Sequence, residues 1–182
     1  PQVWTNSQWK KSMDDIVRQA MAKWPQVPAC FGWLGLDNRG HWHMRDDRVQ
    51  QLGYFQSAVQ GSQGSLLQHE KLIDFIHRNY QADAQGRWYF QNGPQKVFVE
   101  LASTPLVWRL DEHFVPTSHT GQRTEVLACL VDEMGHVYLH TTIGFGLVHS
   151  MDVGLVAEAV EQGLWAPEPC QAKDLPKRFG YV

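Results

Sequence analysis

The sequence has little cysteine, and what it has is poorly placed for a disulfide framework. Cys30, Cys129 and Cys170 are far apart and include no Cys-x-x-Cys pair. Disulfide scaffolds and thiolate zinc sites normally use closely spaced cysteines. We therefore expect reduced thiols and a cytoplasmic protein.

An excess of positive charge is also absent. Sixteen Lys and Arg stand against nineteen Asp and Glu, which leaves a formal net charge of −3. Nucleic acids and anionic membrane surfaces attract proteins largely through positive charge. We therefore expect no nucleic-acid partner.

Long hydrophobic runs are absent too. The apolar stretch without Asp, Glu, Lys or Arg at residues 134–151 contains three His and three Gly and is too polar for a bilayer span. The first eleven residues lack the apolar core of a secretion signal. We therefore expect no membrane association.

The chain does have the composition of a globular domain, with many aromatic rings and imidazoles. It is 43% hydrophobic and 19% charged, and contains 8 Trp, 8 Phe, 5 Tyr and 9 His. A chain of 182 residues can bury a core that is stable without a metal or disulfides. We expect a single domain over residues 1–182 and no cofactor.

Three segments show the periodicity of amphipathic helices. Apolar residues recur at every third or fourth position over residues 5–24, and similar patterns predict helices over residues 66–80 and 150–164. Residues 45–65 are rich in Gln, Ser and Gly and contain few large apolar side chains. We predict that this segment is a mobile loop.

A short repeat, Asp-x-x-Gly, occurs three times, with its copies beginning at Asp37, Asp83 and Asp132. Asp can accept hydrogen bonds from the turn backbone, and Gly at the fourth position can adopt a positive φ. Each copy therefore predicts a β-hairpin, and further strands are predicted over residues 96–101 and 106–110. We expect an α+β fold, an antiparallel sheet of about six to eight strands with N-terminal, middle and C-terminal helices.

The strand that follows each turn predicts one core face and one polar face, because strand side chains alternate. The core-facing residues would be Trp42, Met44, Trp88, Phe90, Val137 and Leu139. The opposite side chains, with Asn92 of the next turn, are the predicted ligand-binding residues: His41, His43, Arg87, Tyr89, Asn92, His136, Tyr138 and His140. They would share one face if the three hairpins share one sheet.

Three interpretations of this face compete. A solvated sheet surface explains the alternation by itself. A recognition surface for a small anionic ligand or a protein is the second, because Tyr, Trp and Arg dominate binding hot spots. A metal site using His41, His43 and His136 is the third. His136 and His140 lie about 13 Å apart on a strand, too far to bind one ion together.

No complete catalytic motif is present. The polar residues Asp111, Glu112 and His113 are typical of a loop. His149, Ser150 and Asp152 contain triad residue types, but neighbours in sequence rarely form triad geometry, so we predict that they begin a helix. These observations favour a non-enzymatic protein.

Three local sequences resemble a known family, namely residues 75–80 (FIHRNY), residues 86–94 (GRWYFQNGP) and residues 175–182 (LPKRFGYV). The chain resembles, from about Phe31 to its C-terminus, an uncharacterised proteobacterial family catalogued as a domain of unknown function. The resemblance implies a bacterial, cytoplasmic, stand-alone protein of about this length. It supplies no catalytic residues.

The sequence therefore favours a small cytoplasmic binding or accessory protein that recognises a ligand or protein partner through a His/Arg/Tyr-bearing sheet face. One alternative is a His-liganded, metal-dependent enzyme. Another is a self-associating structural domain whose exposed aromatics are buried in a homodimer.

Overall fold

The computed structural model describes residues 14–182 and confirms the α+β fold. This part of the chain contains five α-helices and twelve strands in two mixed sheets. The helices are α1 (Asp15–Lys23), α2 (Asp47–Leu52), α3 (Glu70–Arg78), α4 (Val153–Glu161) and α5 (Leu175–Phe179). The predicted first helix therefore begins, within the described residues, at Asp15, and its predicted residues 5–13 lie outside them.

The chain divides into two compact units. Within the described residues, the first unit comprises residues 14–35 and 43–100, and the second comprises residues 36–42 and 101–182. That the whole chain acts as a single domain stays a prediction.

The first sheet has six strands in the order β3-β2-β1-β6-β5-β4. These strands are β1 (Cys30–Leu36), β2 (Trp42–Met44), β3 (Ser65–Leu66), β4 (Tyr80–Ala82), β5 (Trp88–Asn92) and β6 (Gln95–Leu101). The pairs β2–β3, β4–β5 and β5–β6 are antiparallel. Three successive residues of β6, Val97, Phe98 and Val99, are buried, so both faces of this strand are covered at its middle.

Helices α1 and α3 are joined at their ends in the first unit. Asp14, which precedes α1, forms an ion pair with Arg78 at 3.2 Å, and its backbone N–H donates to the Asn79 side chain. The α3 helix buries Ile76 and starts at His69, whose Nδ1 accepts from the Leu72 N–H. A capping acceptor thus sets the start of α3 at Glu70.

Residues 45–65 contain a short helix and a buried arginine. Asp46 caps α2 by accepting from the Val49 N–H at 2.9 Å. Arg45 and Phe55 are each 1% exposed. The mobility predicted for this segment stays a prediction.

The second sheet also has six strands, in the order β12-β9-β10-β11-β7-β8. These strands are β7 (Leu106–Leu110), β8 (Pro116–Ser118), β9 (Val126–Val131), β10 (Val137–Thr141), β11 (Gly144–Val148) and β12 (Glu168–Pro169). The pairs β7–β11 and β9–β12 are parallel. Long connections bring these pairs together, so hairpin signals could not predict them.

The core of the second unit is built around Trp108. This side chain is fully buried, and its indole N–H donates to the Leu139 carbonyl at 3.1 Å. Gly146 passes so close that a Cβ there would lie 2.6 Å from Trp108 Nε1. A glycine at this position therefore permits the close approach of β11 to β7.

All three predicted Asp-x-x-Gly turns are formed. Asp37 is representative: its Oδ1 accepts from the backbone N–H groups of Arg39 and His41, each at 2.9 Å. The fourth-position glycines have φ between 79° and 83°. The turn therefore has the geometry that its sequence predicts.

Two further turns repeat this hydrogen-bonding pattern without the same sequence. One begins at Asp111 and places Phe114 at the positive-φ position, with φ 61°. The other begins at Ser118, whose hydroxyl accepts from the Gln122 N–H, and it uses Gly121. The loop predicted around Asp111 is therefore a hairpin turn between β7 and β8.

No helix within residues 14–182 is long and apolar enough to cross a lipid bilayer.

Candidate functional site

The predicted binding residues do not share one sheet face. The hairpins whose turns begin at Asp37 and Asp83 belong to the first sheet, whereas the hairpin whose turn begins at Asp132 belongs to the second. Of the eight residues, His43, Arg87, Tyr89 and Asn92 belong to the first unit, and His41, His136, Tyr138 and His140 belong to the second. The condition for a single face, that the three hairpins share one sheet, is therefore not met, because long-range pairing separates hairpins with the same local pattern.

Two of the residues expected on the open face are buried. Tyr89 is 7% exposed and Tyr138 is 4% exposed. Tyr138 stacks on Phe145, which is covered in turn by Phe179 of the C-terminal segment at 4.0 Å. Both faces of this part of the second sheet are covered, and alternation alone cannot predict that.

The predicted core face is confirmed at most positions. Trp42, Phe90, Val137 and Leu139 are buried. Trp88 is half-buried and contacts Tyr80, with ring centroids 4.9 Å apart. Met44 is 41% exposed, so its predicted burial is wrong. It lies in the edge region of the sheet, paired with Ser65 of the two-residue strand β3.

Aromatic and cationic side chains meet on one face of the first sheet. We call this cluster the Phe98 surface: Phe31, Arg87, Tyr89, Lys96 and Phe98. The Phe31 and Phe98 rings stack at 4.8 Å, and the Arg87 guanidinium lies over the Phe98 ring at 4.6 Å. The Lys96 amine lies over the Tyr89 ring at 4.9 Å. Each cation is within the range of a cation–π contact.

Strand register explains why these residues meet. Tyr89 of β5 pairs directly with Phe98 of β6, and their rings contact edge to face at 5.7 Å. The next neighbour of β6 is β1, which supplies Phe31. Residues two apart on a strand share a face, so Lys96 and Phe98 lie side by side.

The Phe98 surface combines buried rings with accessible groups. Phe98 and Tyr89 are nearly buried, whereas Phe31 is 59% exposed. Trp33, two residues further along β1, is 38% exposed. Exposed aromatic side chains therefore lie beside cationic groups on this surface.

Arg87 is held in place by Asp83 of its own turn. Its Nε donates to Asp83 Oδ2 at 2.8 Å, and 45% of its side chain remains exposed. Burial raises the pKa of Asp83, but hydrogen bonds from the Arg87 backbone and side chain outweigh it, so the pKa lies below its usual value. The carboxylate therefore stays ionised and orients the guanidinium over Phe98.

The turn that begins at Asp132 forms a second polar cluster, in the second unit. Asp132 Oδ2 accepts from the Tyr138 hydroxyl at 2.8 Å and lies 3.3 Å from His136 Nδ1. Burial followed by the hydrogen bond to Asp132 raises the pKa of Tyr138. Tyr138 therefore remains a neutral donor and does not act as a base. His140 packs against the Phe179 ring at 5.0 Å.

Cys170 lies beside this cluster and lines a pocket of about 420 Å³ with Asp174 and Arg178. Burial, then the charges of Asp132 and Glu133, raise the pKa of its thiol. The protonated thiol is a weak nucleophile. The position therefore lacks the activation that a catalytic cysteine needs.

In the part of the chain that it describes, the structure forms neither a three-residue metal site nor a catalytic triad from the residues that the sequence suggested. Within residues 14–182 no group of three His, Cys, Asp or Glu side chains is arranged to hold a metal ion, and this includes His41, His43 and His136. His149 Nδ1 accepts from the Met151 N–H at 3.0 Å. The predicted helix start is thus confirmed, and Asp152 binds Arg109 instead of His149.

Sequence reasoning found Arg87 and Tyr89 but missed Phe31, Lys96 and Phe98. Phe31 and Phe98 read as ordinary strand residues, because nothing local shows that β1 lies beside β6. The available signal was the turn at residues 92–95, which fixes the β5–β6 register and thereby pairs Tyr89 with Phe98.

The chain belongs to a family of unknown function. Residues 13–182 match the model of the family DUF2944, whose description reads "Protein of unknown function (DUF2946)". The resemblance stated from the three local sequences is therefore confirmed, and no activity comes with it.

Two solved structures are similar to the chain at low sequence identity. A DUF1285 family protein from Silicibacter pomeroyi DSS-3 is 15% identical, with a TM-score of 0.45, over 81% of this chain and 85% of that chain. A DUF1285 family protein from Shewanella baltica OS155 is 13% identical, with a TM-score of 0.44, over 69% of this chain and 91% of that chain. No curated protein matches the chain. Likeness at this level carries no argument about function.

Proposed function

We propose that this protein is a small binding protein that recognises a protein partner through the Phe98 surface. The observation that carries the proposal is the exposed Phe31 ring stacked on Phe98, with the Arg87 guanidinium over the same ring. Arg and aromatic side chains supply most of the energy at protein interfaces. Because Phe31 and Arg87 are exposed side by side on a sheet, this surface fits the recognition of a partner better than a role as an ordinary solvated face.

The chemistry of the surface describes the partner. Phe31 and Trp33 offer apolar area, and Arg87 and Lys96 offer charge at its margin. We infer a partner segment that places carboxylates beside apolar side chains. Such a segment would bury the rings and pair with the cations from one side.

The location belongs to the same proposal. Cys30, Cys129 and Cys170 are free thiols, which favours a reducing cytoplasm. The bacterial origin implied by the family resemblance is likewise proposed. A second copy of the chain as the partner is the alternative, because the exposed rings could be buried in a symmetric dimer.

The test compares two double variants with the parent protein. Phe31→Ala with Arg87→Ala removes the surface, and Tyr54→Ala with Arg48→Ala removes an aromatic ring and a cation that are exposed elsewhere in the first unit. Each immobilised protein is incubated with lysate of the native organism, and captured proteins are quantified by mass spectrometry. We expect a partner that the parent and the control capture and the surface variant loses.

Light scattering across a dilution series accompanies the capture experiment. Concentration-dependent dimers that only the surface variant loses would support self-association instead. Equal capture by all three proteins, with a monomer throughout, would refute both forms of the proposal. Thermal unfolding checks that the surface variant is folded, and we expect a loss of about 1 kcal/mol because Phe31 is exposed.

A further inference from the structure

The tip of the hairpin that begins at Asp37 is fixed beside β7. A Cβ on Gly40 would lie 2.7 Å from the His119 Cβ and 3.6 Å from the Val107 Cβ. The Trp42 and His119 rings are 5.5 Å apart, and His119 Nδ1 accepts from the Val107 N–H. This packing places the residues on either side of Gly40 beside Val107 of β7.

Arg109, two residues beyond Val107 and on the same face of β7, is a pre-oriented arginine. Arg109 donates from Nε and Nη2 to the Asp152 carboxylate, at 2.7 and 3.3 Å. Asp152 is 5% exposed, whereas 54% of the Arg109 side chain is open to solvent. A guanidinium has five N–H donors, and described residues accept from only two of them. The outer donors are therefore available to a ligand.

A histidine with a defined tautomer lies next to this arginine. His149 Nδ1 accepts from the Met151 N–H, so in the neutral ring the proton is on Nε2. Burial first, then the charges of Arg109, Arg39 and His41, lower the pKa of His149, and Asp152 acts in the opposite direction. These charges act on His149 because the hairpin tip and β7 both lie near it.

The neighbouring carboxylates are already engaged. Asp37 accepts from two backbone N–H groups and lies 3.9 Å from the His41 ring nitrogen. Asp152 accepts from the Leu110 N–H in addition to Arg109. Arg39 is exposed and forms no ion pair within residues 14–182. Arg39, His41 and Arg109 thus face solvent with their charge only partly balanced, whereas His149 is 7% exposed.

We propose that Arg39, His41, Arg109 and His149 bind the phosphate group of a small-molecule ligand. Guanidinium and imidazole groups donate hydrogen bonds, and a dianionic phosphate offers more acceptor oxygens and more charge than a carboxylate. The site lies in the second unit and does not depend on the function proposed for the Phe98 surface.

This site should bind dianions more tightly as the pH falls. His149 is neutral in the free protein at pH 7, and a bound dianion favours its protonated form. The charged groups that face it are Arg39, His41, Arg109 and Asp152. Sulfate is the suitable probe for the pH profile, because it remains a dianion throughout the range in which phosphate itself titrates.

The experiment uses inorganic phosphate, sulfate and acetate at constant ionic strength, followed by amide NMR of the whole chain. We expect saturable shifts at residues 37–41, 108–110 and 149–152 for phosphate, with a Kd of about 1 mM or tighter, and tighter sulfate binding at pH 6 than at pH 8. Ribose 5-phosphate then tests a ligand that carries the group, and we expect it to compete with phosphate.

Four substitutions separate the site from general charge effects. Arg39→Gln should weaken phosphate binding roughly tenfold, as expected when one charged donor is lost. His149→Asn keeps a capping acceptor but removes Nε2, so it should reduce the pH dependence of sulfate binding, and the further substitution His41→Asn should abolish it. Arg48→Gln, an equal charge change in the first unit, should leave the Kd unchanged. Acetate binding as tight as phosphate, or equal weakening by Arg48→Gln, would overturn the proposal.

Discussion

Arg45 and Glu100 form an ion pair at 2.8 Å across 55 residues of sequence. Arg45 is 1% exposed and also donates to the carbonyls of Gly32, Gly53 and Ser62. Glu100 in turn accepts from the Phe55 N–H at 2.9 Å. One guanidinium at the start of the segment that connects β2 to β3 therefore satisfies carbonyls in its middle, near its end and in β1.

The substitution Arg45→Met should destabilise the first unit and release this segment. It leaves one buried and two partly buried carbonyls without their donor and leaves Glu100 without its cation, and losses of this kind cost about 3 kcal/mol. We expect urea denaturation to show that decrease in the free energy of unfolding. We also expect limited proteolysis to cut residues 46–64 faster than in the parent protein.

Glu100→Gln is the matched control, because it removes the charge but keeps an acceptor for the Phe55 N–H. It should cost less than Arg45→Met, since the carbonyl contacts of Arg45 remain. If both variants were cleaved at the parent rate, the contacts of Arg45 would not be what holds the segment.

The sequence contained enough to predict the local hairpins but not their assembly. Asp37, Asp83 and Asp132 mark turns whose geometry is fixed within six residues, so pattern alone suffices. The turn at Phe114 escaped prediction because a bulky residue occupies the position where glycine is the usual signal. The division into two sheets depends on pairings such as β7 with β11, which have no local signature.

Predicting which side chains are exposed failed for a related reason. Alternation places Tyr138 opposite Leu139, but burial depends on the C-terminal segment that brings Phe179 over Phe145. Arg45 looked like one polar residue in a flexible stretch, and only its partner Glu100 reveals its structural role. Arg87 was identified correctly as a surface cation because its position is set by an ion pair with Asp83, only four residues away in sequence.

His77 should make the protein less stable in mild acid. Burial, opposed by the charge of Asp74, lowers its pKa from 6.5 to about 4. In the unfolded chain His77 therefore becomes protonated near pH 6.5, whereas in the folded chain it stays neutral until about pH 4. The contribution of neutral His77 to the free energy of unfolding is fully present above pH 6.5 and declines as the pH falls from 6.5 to 4. At pH 5 the free energy of unfolding is lower by about 2 kcal/mol.

Urea denaturation at pH 7.5 and pH 5 measures this decline, and NMR titration of the imidazole gives its pKa directly. In His77→Gln the decline between the two pH values should be smaller by about the same amount. His113→Gln, which changes an exposed imidazole, should retain the parent decline. An imidazole that titrates near its usual pKa would contradict the prediction.

Two glycines offer a comparison in which the same added methyl group should have opposite effects. Gly135 has φ 83° in the turn that begins at Asp132, and Gly154 lies in α4; a Cβ at either position would meet nothing within 4 Å. Gly135→Ala should cost about 1 kcal/mol through backbone strain alone. Gly154→Ala should add roughly 0.5 kcal/mol, because alanine favours the helix and restricts the unfolded chain. Urea denaturation of both variants measures the two signs, and shifts in the same direction would contradict the backbone conformations described for these positions.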